Sequence, residues 1–415
     1  MKVLYICRVF SGLAKSIKEK RWQPTGVPTI YKMIEKIDKL SVSPKFIFTD
    51  WVSNEKKTSL DLKVNKKIKI NGLKSEVLLI SGIFFFNFFL RSKVMRTLIE
   101  LKRQFSILFS VLIFNPDIIY VDRANILSGS ICARFLKKKV VLRIMGIYPS
   151  MWEMLNSNKL SNILLKWCLK SKFSLVICTE DGTGGIQWMS RALNKNVKRI
   201  SLLNGVDTFN SIKKEKTLLA KINKNKINIL FKGRLEKIKG CYQFINSIGN
   251  LEERDKKKIN VIMIGTGSEE KKILELVKKK ELESIFFHIK NVPHNNIFLY
   301  HNISHIYVAL NQAGNLSNSN LECFKSGLCS IIPNERKKNF WDVNIKNYFS
   351  NQDLIRIPWR NQEKELSNVL KLLINNKSKI NFFSKNIHQK SKKVLYSWNT
   401  RVTKEFKLLK EIYEN

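Results

Sequence analysis

Short runs of β-branched and aromatic residues alternate with longer stretches of helical apolar spacing, and that alternation leaves few architectures open. In the first half the runs are Lys2–Cys7, Lys45–Thr49, Asp117–Asp122, Val140–Met145 and Leu175–Thr179. In the second they are Asn228–Lys232, Asn260–Gly265, Ile285–Ile289, His305–Leu310 and Cys329–Pro333. A run that is apolar at nearly every position reads as a strand buried on both faces, and strands separated by helices pair in parallel. The expectation is α/β, with two parallel sheets covered by helices. Ligands of such open sheets bind in the crevice at the carboxyl ends of the strands. With 415 residues, 44% of them apolar, the chain is long enough for two cores and too apolar for disorder.

One strand end carries chemistry. The segment Ile227–Gly240, INILFKGRLEKIKG, runs from a buried strand into a glycine-bracketed basic turn that opens a helix near Tyr242. Arg234 and Lys239 would be delivered to one place. An arginine fork can grip two phosphate oxygens, a lysine adds a movable point charge, and a helix N-terminus favours the same anion, so a diphosphate fits. A solvated basic loop is the alternative. A second segment, Asn311–Pro333, follows the strand-like HIYVAL. Its small polar residues Gly314–Asn320 form a loop, and Ser317 or Asn318 can cap the helix that carries Leu321, Glu322 and Cys323. Glu322 would lie in the first turns of that helix, where a carboxylate can accept hydrogen bonds from vicinal hydroxyls such as those of a ribose, or simply complement the helix dipole.

These residues resemble the GT-B glycosyltransferases of family 4, which use nucleotide-sugar donors. The resemblance covers most of the chain. It rests on LNGVD at Leu203–Asp207, GRLEKIKG at Gly233–Gly240, IGTGSE at Ile264–Glu269, LECFKSGLCSII at Leu321–Ile332, and the tail SWNTRVTKEFKLLKEIYEN from Ser397, in the family's order. It implies two Rossmann-like domains facing a central cleft, with the C-terminal helix crossing back to the first. It also implies that Arg234 and Lys239 bind the donor diphosphate and Glu322 the nucleotide ribose. One departure stands out. The family carries two glutamates separated by seven residues, and counting back from Glu322 reaches Gly314. The donor loop Gly314, Asn315, Leu316, Ser317 and Asn318 would then offer backbone amides and an amide side chain where the family offers a carboxylate. Gly26, in QPTGVPTIYKMIEKI, resembles the family's glycine loop after the first strand, although a helix-start glycine reads the same way. Where the family often places a histidine-containing turn, this chain has Arg143, Met145 and Gly146, so no catalytic histidine is carried over and no catalytic residue is assigned.

Domain limits follow from composition. The largely polar run Asn210–Lys226 separates residues 1–209, the acceptor-side domain, from residues 210–385, the nucleotide-sugar domain. Residues 386–415 form the closing helix, whose apolar spacing (Val394, Leu395, Trp398, Val402, Phe406, Leu409, Ile412) suits packing back on the first domain. Glu180 and Asp181 follow a strand end and either face the cleft or, for Asp181, cap a helix.

A formal net charge of +42 calls for an acidic partner. Nucleic acid is disfavoured: aromatic residues are not interleaved with basic ones, and no helix-turn-helix, zinc or RNA-binding signature appears. An anionic membrane surface fits better. The run Val77–Leu90 is apolar and followed by Arg91, Lys93, Arg96, Lys102 and Arg103; it is too short to span and reads either as a docking segment or as a buried strand or helix. Met1-Lys2 runs into a strand without an export signal, and seven cysteines without a CxxC pair read as reduced thiols of a cytoplasmic protein, peripheral on the inner face of the membrane. His301 and His305, four apart, lack a third ligand, and no Asp-x-Asp motif occurs, so no metal site is expected. The activity implied is transfer of a hexosyl unit, with retention, from a UDP- or GDP-linked sugar to a glycan or polyprenyl-linked acceptor, without a further cofactor, in surface polysaccharide synthesis. A sugar-nucleotide epimerase or hydrolase on the same fold and a basic nucleic-acid-binding protein are the alternatives.

Overall fold

The alternation resolves into two parallel sheets, one in each of two units. A computed structural model describes the chain except residues 42, 51–59, 61, 63, 82–92, 208–221 and 224, and except the side chains of residues 93–96. Unit 1 comprises Met1–Thr179, Gly185–Leu202 and Trp398–Asn415; unit 2 comprises Glu180–Gly184 and Leu203–Ser397.

The sheet of unit 1 is built from β1 (Val3–Arg8), β2 (Lys45–Thr49), β3 (Lys66–Ile68), β4 (Val77–Ile80), β5 (Ile118–Asp122), β6 (Lys139–Ile144), β7 (Leu175–Thr179) and β8 (Arg199–Leu202). Their order is β3-β4-β2-β1-β5-β6-β7-β8, and every pair is parallel except β3 with β4. Successive side chains point to opposite faces, so β1 sends Val3, Tyr5 and Cys7 into one core and Leu4 and Ile6 into the other. The first core is closed by the helices Ser11–Lys18, Pro28–Leu40 and Trp398–Glu414, the second by Lys93–Phe114, Ile126–Arg134 and Leu160–Leu169.

Unit 2 has β9 (Ile227–Lys232), β10 (Ile259–Ile264), β11 (Phe286–Ile289), β12 (Ile306–Val308), β13 (Cys329–Pro333) and β14 (Ile355–Ile357), in the order β11-β10-β9-β12-β13-β14 and parallel throughout. The strand order reverses beside β9 and β12, where the loops at their carboxyl ends start on opposite sides of the sheet. Both sequence-predicted loops leave from these two strands.

The stretch expected as one closing helix from residue 386 is two helices. Lys377–Val394 sends Ile387 into the core of unit 2, whereas Trp398–Glu414 sends Trp398, Val402, Phe406 and Leu409 into unit 1. The chain breaks between them because Leu395 is extended (φ −97°, ψ 116°) and the Tyr396 carbonyl accepts from Val206 N at 2.9 Å. The boundary run Asn210–Lys226 lies mostly outside the described residues.

Of the apolar run Val77–Leu90, Val77–Ile80 is the strand β4, while residues 82–90 and the side chains of Arg91, Lys93 and Arg96 lie outside the described residues. Arg103 is not a surface cation: it is buried, with Nη2 donating to Asp50 O at 2.9 Å. Among the described residues no helix is long and apolar enough to cross a membrane.

Candidate functional site

The basic turn leaves β9 at Gly233 and is held by backbone bonds from Gly233 N to Ile264 O (3.0 Å) and Leu235 N to Thr266 O (2.9 Å). Gly240, at φ 73°, closes it against β12's continuation, where a Cβ would stand 2.5 Å from Leu310 Cβ. Gln312 N donates to Ile238 O at 2.8 Å, so the second segment is stitched to the first. Arg234 is 72% exposed and among the described residues pairs with Glu236, at 2.9 Å; such a surface pair contributes little and yields readily to a ligand. Lys239 is half-buried, and its pKa is lowered by burial first and then by the like charge of Arg234. The two cations are thus near enough for the charge of one to act on the other.

Glu322 comes to the same sheet edge on the helix Asn318–Lys325. Its Oε2 accepts from Lys232 Nζ at 2.6 Å, and its Oε1 lies 2.9 Å from His294 Nε2. Burial pushes the carboxyl up, but Lys232 and His294 outweigh it and bring the pKa down to about 2. Lys232, the last residue of β9, also touches His301 Nε2 at 3.2 Å. An ammonium donates, so Nε2 accepts and Nδ1–H donates to Ser326 Oγ at 3.0 Å. Burial, then Lys232, lowers the His301 pKa from 6.5 to about 2, so the ring stays neutral. Lys232, His294 and His301 were not legible as site residues. They come from a strand end, a loop and a helix, and only folding joins them.

The sign of the His301 effect is definite. The folded ring resists a proton that the unfolded chain accepts near 6.5, so its contribution is present above that pH and is lost as pH falls toward 2. Glu322 acts in the same direction from 4.5 downward. His301→Gln can accept from Lys232 and donate to Ser326 without titrating. It is expected to flatten the decline in melting temperature below pH 6.5, as checked by thermal unfolding across pH.

The loop Gly314–Asn318, expected to face a donor, has a different geometry from the one the sequence suggests. Asn315 N donates to Asp342 Oδ1 at 2.7 Å, and Leu316 N to Asp181 O at 3.1 Å, so these two amides are turned into the protein. Gly314 adopts φ +94°, and a Cβ there would lie 2.6 Å from Asp181 O and 2.8 Å from the Gly182 carbonyl carbon. The position where the family carries its first glutamate thus has no room for a side chain. Ser317 stands at the N-cap, but its hydroxyl bonds Asn320 Oδ1 at 2.8 Å, so no side chain caps the first turn and neither Ser317 nor Asn318 plays the expected capping part. Asn318 instead accepts from Asn204 Nδ2 at 2.6 Å. Burial pushes Asp342 and Asp181 up to about 7, with Asp181 adding to the first and Glu180 to the second.

The remaining candidates divide. Gly26 has φ +96° and is open to solvent; the glycine that backbone contact requires in that region is Gly12, whose Cβ would sit 2.0 Å from Thr25 O. Arg143 is buried in unit 1, bonded to Ile144 O (2.6 Å), Ile177 O (3.0 Å) and Thr179 Oγ1 (2.8 Å), and is structural. Asp181 does not cap a helix; it accepts from Thr183 N at 3.1 Å within a turn. His305 Nδ1 accepts from Asn228 N at 3.0 Å, which separates it in role from His301. Among the described residues no group of three or more His, Cys, Asp or Glu could hold a metal ion. All seven cysteines are buried, and among the described residues none is joined in a disulfide.

Comparison with known proteins bears on this arrangement. Residues 213–390 match the family model for glycosyl transferases group 1. Sucrose-phosphate synthase from Thermosynechococcus elongatus superimposes with a TM-score of 0.70 at 11% identity, over 100% of this chain and 99% of that one. HepE from Anabaena, in complex with UDP, gives 0.68 at 12% identity, over 99% and 100%. A glycosyltransferase from Rickettsia africae gives 0.63 at 16% identity, over 100% and 99%. No curated protein matches by sequence. The folds agree over whole chains.

Proposed function

We propose that this chain, of the GT-B fold and matching the group 1 glycosyl transferase model over residues 213–390, is a glycosyltransferase that moves a hexosyl unit from a nucleoside diphosphate sugar to a hydroxyl of a glycan or lipid-linked acceptor, with retention, in surface polysaccharide synthesis. The observation that carries this reading is the convergence of Arg234 and Lys239 on the strand edge that also presents Glu322 and the uncapped start of the helix Asn318–Lys325. In this reading Arg234 and Lys239 bind the diphosphate. Glu322 exchanges His294 for the ribose hydroxyls and keeps Lys232. Ser317 and Asn318 border the sugar, and Gly26 leaves room on the acceptor side. Of the two donor classes, UDP has the support of the HepE structure with UDP, GDP being the other.

The difficult event is departure of the diphosphate. Its growing charge is met by two side-chain cations and by the positive end of a helix, which are in place before reaction and so require little reorganisation. Metal independence follows as part of the proposal. The net charge of +42 supports peripheral association with an anionic membrane face, and the cytoplasmic side is part of the proposal.

Transfer is tested with UDP- and GDP-sugars, with and without a polyprenyl-linked acceptor, in the presence of EDTA. Product is expected only with acceptor and is expected to survive the chelator. Free or epimerised sugar formed without acceptor would assign hydrolase or epimerase chemistry instead, and a strict Mg²⁺ or Mn²⁺ requirement would contradict the proposed site.

A further inference from the structure

The helix Lys93–Phe114 of unit 1 buries Ile107 and Val111 and turns a second apolar face outward. Leu98, Leu101, Phe105, Phe109, Leu112 and Ile113 are all exposed, Phe105 by 72% and Phe109 by 66%. At about 3.6 residues per turn these six positions fall within an arc of roughly 120°, opposite the buried pair. The helix Leu160–Leu169, which packs into the same core through Cys168 and Leu169, repeats the pattern: Leu160, Ile163, Leu164 and Trp167 are exposed, Leu160 by 82%. Exposed Phe135 lies 6.4 Å from the Trp167 ring, and Arg134 stacks on that ring at 4.4 Å.

Folded proteins seldom leave helix faces this apolar in water unless a partner covers them. The chemistry around it says which partner. Exposed Lys137 follows Phe135, exposed Lys159 precedes Leu160, and exposed Lys172 follows the second helix. Of the nearby acids, Glu100 is engaged by Arg103 at 2.6 Å. An apolar stripe beside exposed lysines, on a chain of net charge +42, complements a bilayer with anionic headgroups: rings enter the interface while ammonium groups stay among the phosphates. Lys102 and Arg103 interrupt the helix, and it does not span.

We infer that the exposed stripes of Lys93–Phe114 and Leu160–Leu169 form the surface by which this protein docks on an anionic lipid bilayer. This rests on the peripheral membrane reading above and locates it in unit 1, apart from the nucleotide residues of unit 2. Docking would hold the acceptor-side unit where lipid-linked substrates reside.

The test is sedimentation of the full chain with vesicles of phosphatidylcholine alone or mixed with phosphatidylglycerol. Wild type is expected to bind the mixed vesicles and to release partly as salt is raised. Phe105→Ser/Phe109→Ser is expected to lower the partition coefficient by at least about tenfold, while UDP or GDP binding and melting temperature hold. Arg234→Ala should do the reverse, losing nucleotide and keeping vesicles. Vesicle binding unchanged in the double variant overturns the proposal and leaves the nucleotide site standing. So does a wild-type dimer that the double variant dissolves, since a second copy would then be the occupant. Loss of nucleotide binding by wild type sinks the transferase reading without touching the surface.

Discussion

Replacing Glu405 by alanine is expected to destabilise unit 1 by about 3–5 kcal/mol. The carboxylate is fully buried between two guanidinium groups, with Arg401 Nη1 at 2.5 Å and Arg143 Nε at 3.5 Å, and it accepts a hydrogen bond from the Tyr120 hydroxyl. Burial pushes its pKa up, but Arg401 and Arg143 together outweigh that and hold it below the ordinary value. Removing it strands two buried cations and a buried phenol at once. Their desolvation is then unopposed, and on a domain whose whole stability is of order 10 kcal/mol the loss is large. The residue sits on Trp398–Glu414, the helix that completes the core of unit 1, so the network locks the end of the chain to β5 and β6. Amide exchange should accelerate in β5 and β6 and remain slow in β9 and β10, whose core is separate. Glu405→Gln keeps the shape and one acceptor, and should cost less. An alanine variant with unchanged exchange in β5 would mean the network is energetically idle.

Arg234→Ala is the second large expected effect, on binding rather than folding. The side chain is exposed and its partner Glu236 lies two residues away, so truncation leaves nothing buried unsatisfied and the fold should be indifferent. What is lost is a charge-assisted contact to phosphate, about 1.5–3 kcal/mol, or roughly 10–150-fold in affinity. Lysine at the same position should recover only part, because an ammonium cannot make the bidentate contact.

How far the sequence could be read depends on burial. The ten runs named from sequence all became strands; nine of them lie inside a sheet, where a parallel strand has to be apolar on both faces, and the tenth, β11, is an edge strand that kept an apolar run. The strands it missed are β3 (Lys66–Ile68), β8 (Arg199–Leu202) and β14 (Ile355–Ile357), which lie at sheet edges and carry Lys66, Lys67, Arg199 and Arg356, and β4, read within a longer apolar run. Charged edges are how sheets avoid extending, and they erase the strand pattern. The basic turn was legible since its glycines and cations are neighbours in sequence. The surroundings of Glu322 were not. Lys232 looked like an ordinary strand end, and His301 looked like half of a pair with His305, which in the fold serves a backbone amide instead. Gly314 was visible only as a departure; its reason, the close approach of Asp181 and Gly182, comes from residues more than a hundred positions away. The docking segment read in Val77–Leu90 lies mostly outside the described residues; the exposed apolar stripe among the described residues is on the helix Lys93–Phe114, whose two apolar faces cannot be told apart by composition.

The most direct test of the diphosphate site is calorimetric titration of UDP and of GDP into wild type and into Arg234→Ala. The account predicts that one of the two nucleotides binds wild type and that the variant binds it roughly 10–150-fold more weakly with an unchanged melting temperature. Binding of neither nucleotide, or equal binding by both proteins, would contradict it.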